Sequence, residues 1–160
     1  VPYTGLILST RETSVLRDEL FSLGISQASA ESRTSPGGYD KSDGSGKAQF
    51  EVGDMRTLDE VVDSLITKGF IPSFCAACYR KSRTGEAFME LAKPGTIKGK
   101  CQLNALITLK EYLDDFASEE VRKKGYALIE EAKNGLDPDS KKKLEEFYSH
   151  IKSGVRDEYV

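Results

Sequence analysis

The chain has 160 residues, a net charge of −3 and a pI near 5.4, so a single domain with room for a tail is the default and nucleic acid is not its main partner. No apolar run approaches the roughly 20 residues of a membrane span, and no basic stretch followed by an apolar one and a cleavage site marks a signal peptide. Three cysteines, an odd number, do not make a secreted disulfide framework, and a reducing cytoplasm fits best.

Val1-Pro2-Tyr3 runs straight into Leu6-Ile7-Leu8 without an initiator methionine, which suggests a piece of a longer polypeptide. Tyr3 to Ser9 reads as a strand buried on both faces, because the apolar run is short and continuous. Thr13 to Leu23 reads as a helix with Val15, Leu16, Leu20 and Leu23 near one face and Gly24 as its stop. Ile25 to Ser29 is a second short strand, giving strand, helix, strand with tight connections. Ser35 to Lys47, with Pro36, Gly37, Gly38, Gly44 and Gly46, is a loop by composition, mobile over Asp43–Gly46. It matches neither the dinucleotide nor the P-loop pattern, so its glycines serve turn geometry. Gln49 to Val52 is a short extended segment.

Thr57 caps the next helix, with Glu60 completing a capping box. Leu58, Val61, Val62, Leu65 and Ile66 follow at helical spacing, and Gly69 ends the run. Beyond the cysteine loop at 75–78, Gly85 to Lys93 reads as a helix stopped by Pro94-Gly95, and Asn104 to Ala117 as another. Ser118, backed by two acids, starts a helix that runs to Asn134-Gly135, and Asp137-Pro138 opens the last. Lys141-Lys142-Lys143 is a solvated charge run, and His150, the single histidine, is a surface residue of the last helix.

All the chemistry-bearing sulfur lies in one region, Cys75, Cys78 and Cys101, spaced C-x2-C-x22-C. Thiolates are soft ligands that select zinc, copper(I) or iron–sulfur clusters. A structural zinc site wants four ligands, and no fourth is evident. An iron–sulfur cluster held by three cysteines, a zinc ion completed by a carboxylate or water, and a disulfide or free thiols all stay open on spacing alone. Arg80, Lys81, Arg83, Lys98 and Lys100 surround the cysteines in sequence and are expected to lower the thiol pKa values. A solvated basic surface is the plainer reading of the same charges.

The stretch CAACYRKSRTGEAFMELAKPGTIKGKC followed by NALITLKEYLDDFA resembles the C-terminal domain of the tyrosine lyases of FeFe-hydrogenase maturation. Upstream, LILSTRE, SQASAESRTSPGGY and QFEVGDMRTLDEVV are similar to the preceding part of that family in the same order. The likeness runs over nearly the whole chain and weakens after about residue 120. One departure is Leu103, where the family's C-x-P-N-A pattern has proline.

The resemblance implies an α/β fold. Residues 1–56 are the last strands and helix of a (βα)-barrel of the radical S-adenosylmethionine type, and residues 57–160 are a mainly α-helical C-terminal cluster-binding domain. It implies that Cys75, Cys78 and Cys101 hold an auxiliary 4Fe–4S cluster with an extra iron. S-adenosylmethionine and its own 4Fe–4S cluster belong to an N-terminal barrel portion outside this sequence, which is itself an expected partner. The implied reaction is the radical cleavage of tyrosine, whose glycine-derived fragment becomes carbon monoxide and cyanide for the hydrogenase active site, handed on with other maturation proteins. In such barrels the chemistry sits at the C-terminal strand ends. Thr10, Arg11 and Glu12 would then lie at one mouth position, and Ser29, Glu31, Ser32 and Arg33 at the next. Arg11 and Ser29 are expected to bind the tyrosine carboxylate, with Arg33 as the alternative; the plainer role for Arg11 is a pair with Glu12. The rival functions are a structural zinc-binding interaction domain and an iron–sulfur cluster scaffold.

Overall fold

Helix dominates the computed structural model, which describes residues 5–39 and 49–160 and divides into two units, Val1–Ser64 and Leu65–Val160. In the first unit strand β1 (Ile7–Leu8) pairs in parallel with β2 (Gln27–Ala28), Ile7 opposite Gln27 and Leu8 opposite Ala28, and helix α1 (Ser14–Phe21) makes the crossover. Of the strand expected over Tyr3–Ser9, Tyr3 and Thr4 lie outside the described residues; the described part is a strand over Ile7–Leu8, and it is not buried on both faces. Leu8 is buried, while Ile7 is 71% exposed. A two-stranded ribbon with one crossover helix has cover for only one face. The segment expected to be extended over Gln49–Val52 forms no strand, and the mobile stretch expected at Asp43–Gly46 lies outside the described residues.

Thr13 caps α1 by accepting from the Leu16 N–H at 3.4 Å, and Gly24 ends it at a φ of +101°. Its expected apolar face is open: Val15 is 68% and Leu23 80% exposed. The buried residue of α1 is Arg17, at 0% exposure. Its guanidinium pairs with Asp54 and donates through Nη2 to the carbonyl of Ser29. Asp54 also accepts from Arg56 Nε at 3.0 Å and Nη2 at 2.8 Å, Arg56 reaches Asp18 at 3.0 Å, and Asp18 accepts from the Ser64 hydroxyl at 2.7 Å. The backbone N–H groups of Gly53 and Asp54 donate to the Thr10 carbonyl at 2.9 and 3.0 Å. That close crossing requires glycine at 53, because a Cβ there would collide with the backbone of Arg11 and Glu12.

The unit boundary falls inside α2 (Leu58–Thr67). Its capping box forms as expected: the Thr57 N–H donates to Glu60 Oε2 at 2.7 Å, and the Glu60 N–H to Thr57 Oγ1 at 3.3 Å. Glu31 adds a second cap from a distance, accepting from the Leu58 N–H at 3.1 Å.

In the second unit α3 (Ala77–Arg80) and α4 (Gly85–Ala92) precede α5 (Ile97–Asp115), against which α6 (Glu119–Asn134) and α7 (Pro138–Lys152) pack. Leu106, Ile107, Leu109 and Leu113 of α5 are fully buried with Ile129 of α6 and Leu144 of α7. Ser118 and Asp137 cap the last two helices, accepting from Val121 at 3.4 Å and Ser140 at 2.9 Å. Helix α5 starts seven residues before the expected Asn104. After the buried Ile97 its first two turns carry lysines and a glycine with no further buried apolar residue until Leu103, so the helical period is hidden there. No helix among the described residues is long and apolar enough to cross a membrane.

Candidate functional site

The three cysteines come from three different local structures of the second unit. Cys75 lies in the irregular stretch before α3 and accepts from the Ala77 N–H at 3.4 Å; Cys78 sits in the single turn of α3; Cys101 lies in the second turn of α5. The chain therefore returns to the thiol region on a helix already formed, not in a loop before one. Phe74 ties the first segment to α5: its N–H donates to Thr108 Oγ1 at 3.2 Å, and its ring stacks on Tyr112 with centroids 4.9 Å apart. All three thiols are free, Cys75 and Cys78 half-buried and Cys101 exposed.

The sulfurs act on one another. Although Cys101 is exposed by surface area, its thiol is pushed up, first by partial desolvation, then by the charges of Cys78 and Cys75, against an opposing pull from Arg83. The expected lowering by basic neighbours is thus reversed at Cys101. Of those neighbours, Arg80 and Lys81 are turned elsewhere, toward Asp157 and the carbonyl of Tyr159. The Tyr159 phenol is pushed up mainly by burial, with Asp157 and then the charge on Cys75 adding to it. Among the described residues no group of three His, Cys, Asp or Glu side chains is drawn together as a ready metal cage. His150 bonds Glu158 at 2.7 Å. Three soft thiols within electrostatic reach, without a histidine completing the set, suit an iron–sulfur cluster better than a closed zinc site.

The strand-end residues are placed differently from one another. Arg11 is exposed and lays its guanidinium 4.3 Å from the centroid of the Phe50 ring, not against Glu12. Ser29 is exposed, and its backbone is held at both ends: its N–H donates to Leu8 at 3.0 Å and its carbonyl accepts from Arg17. Arg33 is half-buried, 3.7 Å from Glu31, and its Nη1 is buried with no hydrogen-bond partner among the described residues. It lines a pocket of about 270 Å³ with Ser32, Thr34, Ser35, Phe50 and Met55. Arg11 reaches this pocket only through Phe50. Arg17, Asp54 and Arg56 were not foreseen, although they hold the backbone of Ser29 and Thr10 in place. The pairing of residues 37 apart leaves no local signal.

The family model of the Biotin and Thiamin Synthesis associated domain matches residues 1–71, ending before the first cysteine. A crystal structure of HydG, a maturase of the FeFe-hydrogenase, is 42% identical over 100% of this chain, with a TM-score of 0.92. The chain resembles the C-terminal part of HydG. The X-ray structure of the FeFe-hydrogenase maturase HydG from Carboxydothermus hydrogenoformans is 38% identical over 92% of the chain, with a TM-score of 0.63. The chain spans 35% and 30% of those two HydG chains, about a third of their length. No curated protein matches. The cysteine region thus lies beyond the Biotin and Thiamin Synthesis associated domain and within the likeness to HydG.

Proposed function

We propose that this chain is the C-terminal part of a radical S-adenosylmethionine tyrosine lyase that makes carbon monoxide and cyanide for the FeFe-hydrogenase active site. Residues 1–56 would be the end of the barrel, and residues 57–160 the domain that holds an auxiliary 4Fe–4S cluster with an extra iron. The observation that carries this reading is the likeness to HydG over 100% of the chain, which includes three free thiols beyond the Biotin and Thiamin Synthesis associated domain. Cys75, Cys78 and Cys101 would be the cluster ligands. When bound, such a cluster supplies an iron position that no protein thiolate occupies, open to a small exogenous ligand.

This chain's own residues have two tasks. Phe74, through Thr108 and Tyr112, orients the first thiol segment on the helix that carries the third thiol. Arg11 and Ser29, with Arg33 as the alternative to Arg11, bind tyrosine by its carboxylate, a planar group that a guanidinium fork meets with two parallel bonds. Arg33 brings a buried nitrogen with no partner among the described residues. S-adenosylmethionine, its cluster and the rest of the barrel belong to the N-terminal portion, and the products pass to other maturation proteins in the cytoplasm.

The test uses the full-length protein after anaerobic reconstitution. Changing any one of the three cysteines to serine is expected to leave tyrosine cleavage intact and abolish iron-bound carbon monoxide and cyanide. The triple variant should lose about four to five iron atoms per chain, the cluster and its extra iron. Iron-bound products from the triple variant would overturn the assignment, and zinc in place of iron would support the structural zinc domain instead.

A further inference from the structure

A second connection joins the thiol-bearing segments, and it runs through residues Arg156–Val160. Arg156 Nε and Nη2 donate to the two oxygens of Asp115, each at 2.7 Å. The Asp157 N–H donates to Glu111 Oε1 at 3.0 Å, and the Val160 N–H to Asn104 Oδ1 at 2.8 Å. Positions 104, 111 and 115 share one face of α5. The segment therefore runs along that helix against its direction, from its last turn to the turn after Cys101. Eleven residues of helix are about 16 Å, which five extended residues and one arginine side chain can span. Arg156 Nη1 also donates to the carbonyls of Ile151 and Val155, both at 2.8 Å, and Asp157 turns the chain at a φ of +64°.

The other side of the segment holds α3. Lys81 Nζ donates to the Tyr159 carbonyl at 2.9 Å, Arg80 Nη2 to Asp157 Oδ2 at 3.4 Å, and the Arg80 guanidinium lies 5.8 Å from the centroid of the Tyr159 ring. Arg80 closes the turn that carries Cys78, and Lys81 directly follows it. That turn needs outside support: α3 has four residues, and Ala76 at its N-cap offers no side-chain bond. One helical turn is not stable alone, since nucleation fixes several dihedrals for a single hydrogen bond. Phe74 anchors the thiol segment just before Cys75, and Arg80 and Lys81 anchor it just after Cys78, so the two cysteines are bracketed.

We propose that Arg156–Val160 is a clasp that fixes α3 to α5, holding Cys75 and Cys78 at a set separation from Cys101 before any metal arrives. The proposal rests on the reading of those cysteines as cluster ligands. Its residues are positioning residues: none offers a sulfur, and each acts by lowering the ordering cost of bringing three thiols to one site.

The experiment compares Arg156→Ala, Arg156→Lys, Asp115→Asn and Arg122→Ala in the full-length protein. Arg122 is the control: it donates to the carbonyls of Leu113 and Ala117 at the same end of α5, at 2.8 and 3.3 Å. In metal-free protein, alkylation of each cysteine by iodoacetamide is followed by mass spectrometry. Arg156→Ala and Asp115→Asn should each speed alkylation of Cys75 and Cys78 about fivefold, the size expected for a well-formed bidentate surface pair. The double variant should be no faster than either, Arg156→Lys should recover part of the protection, and Arg122→Ala should match the unaltered protein. Equal rates in Arg156→Ala and the unaltered protein, or equal acceleration by Arg122→Ala, would overturn the clasp. Iron per chain is measured in parallel. Failure of the unaltered protein to take up iron that depends on the three cysteines would overturn the ligand reading, while the alkylation rates still judge the clasp.

Discussion

In the unit Val1–Ser64 the fully buried side chains include Arg17 and Asp54, whereas at the same depth in Leu65–Val160 stand Leu106, Ile107, Leu109, Leu113, Ile129 and Leu144. The two interiors do different work. An apolar core is non-directional and fixes helices by shape. An ionic centre is directional: Arg17 and Asp54 hold particular backbone atoms, the carbonyls of Ser29 and Thr10, at the ends of strands only two residues long. The proposed tyrosine site lies at those strand ends. Short strands with exposed apolar neighbours cannot set such geometry by packing, and the buried charges supply it. The cost is fragility, because removing Arg17 leaves the buried Asp54 carboxylate with Arg56 as its remaining cation.

The largest effect should therefore come from Arg17→Met, about 3–5 kcal/mol of lost stability. Deuterium exchange should show the loss in residues 5–39, with α5–α7 still protected. Leu113→Ala should cost about 2–5 kcal/mol and open the helices instead. Pairing Arg17→Met with Asp54→Leu should recover much of the loss, since an apolar pair carries no desolvation cost. A cost below about 1 kcal/mol for Arg17→Met would mean that the first unit is not held by its charges.

Next in size is substrate binding. Arg11→Lys in the full-length enzyme should raise the tyrosine KM about tenfold, close to 1.4 kcal/mol, with S-adenosylmethionine binding unchanged. A rise with Arg33→Lys alone would assign the carboxylate to Arg33, the arginine that lines the pocket. The helical unit gives a smaller effect at Gly125, where an added Cβ would come within 2.5 Å of Leu113 Cδ2. Leu113 is fully buried and cannot swing away, so overpacking of about 1–3 kcal/mol competes with about 1 kcal/mol of helix propensity gained. Gly125→Ala should lower the thermal midpoint slightly; a rise would mean that the apolar core is looser than its burial implies.

What could be read from the residues alone follows the same division. Signals confined to a few neighbours were legible: the Thr57–Glu60 box, the caps at Ser118 and Asp137, and the stop at Gly69. Each is a bond or a backbone twist settled within one helical turn. Features settled at long range were not. Leu6-Ile7-Leu8 looks buried on both faces, but burial depends on what covers a strand. Arg17 sits among apolar residues on α1 and finds Asp54 only through the crossing at Gly53. At the candidate metal centre the cysteine spacing picked out the three thiols proposed as ligands, while at Cys101 burial and the other two sulfurs outweigh the one opposing cation, Arg83, and Arg80 and Lys81 serve the segment near residue 159. No pattern in sequence joins Arg156 to Asp115, 41 residues away.

The last effect is one of pH, and it separates the two interiors by charge. Burial alone would push the Asp54 carboxyl up, but the hydrogen bonds from Arg56, with Arg17 contributing, outweigh it and bring the group down from 3.8 to about 2. In the unfolded chain the same carboxyl titrates near ~3.9. The folded form binds the proton more weakly, so the unfolded form takes it up first as the solution is acidified. Stability from Asp54 is therefore complete above about pH 4 and lost as the pH falls from about 4 to about 2. The apolar core of α5–α7 has no carboxylate at its centre and should hold through that window. Exchange protection at Gly53 and Asp54, corrected for intrinsic rates, should drop between about pH 4 and 2. Asp54→Asn should abolish this acid step. Arg56→Gln should move it toward higher pH, because the bonds that hold the carboxylate down are gone. A step that keeps its position in Arg56→Gln would show that Arg56 does not set the Asp54 titration.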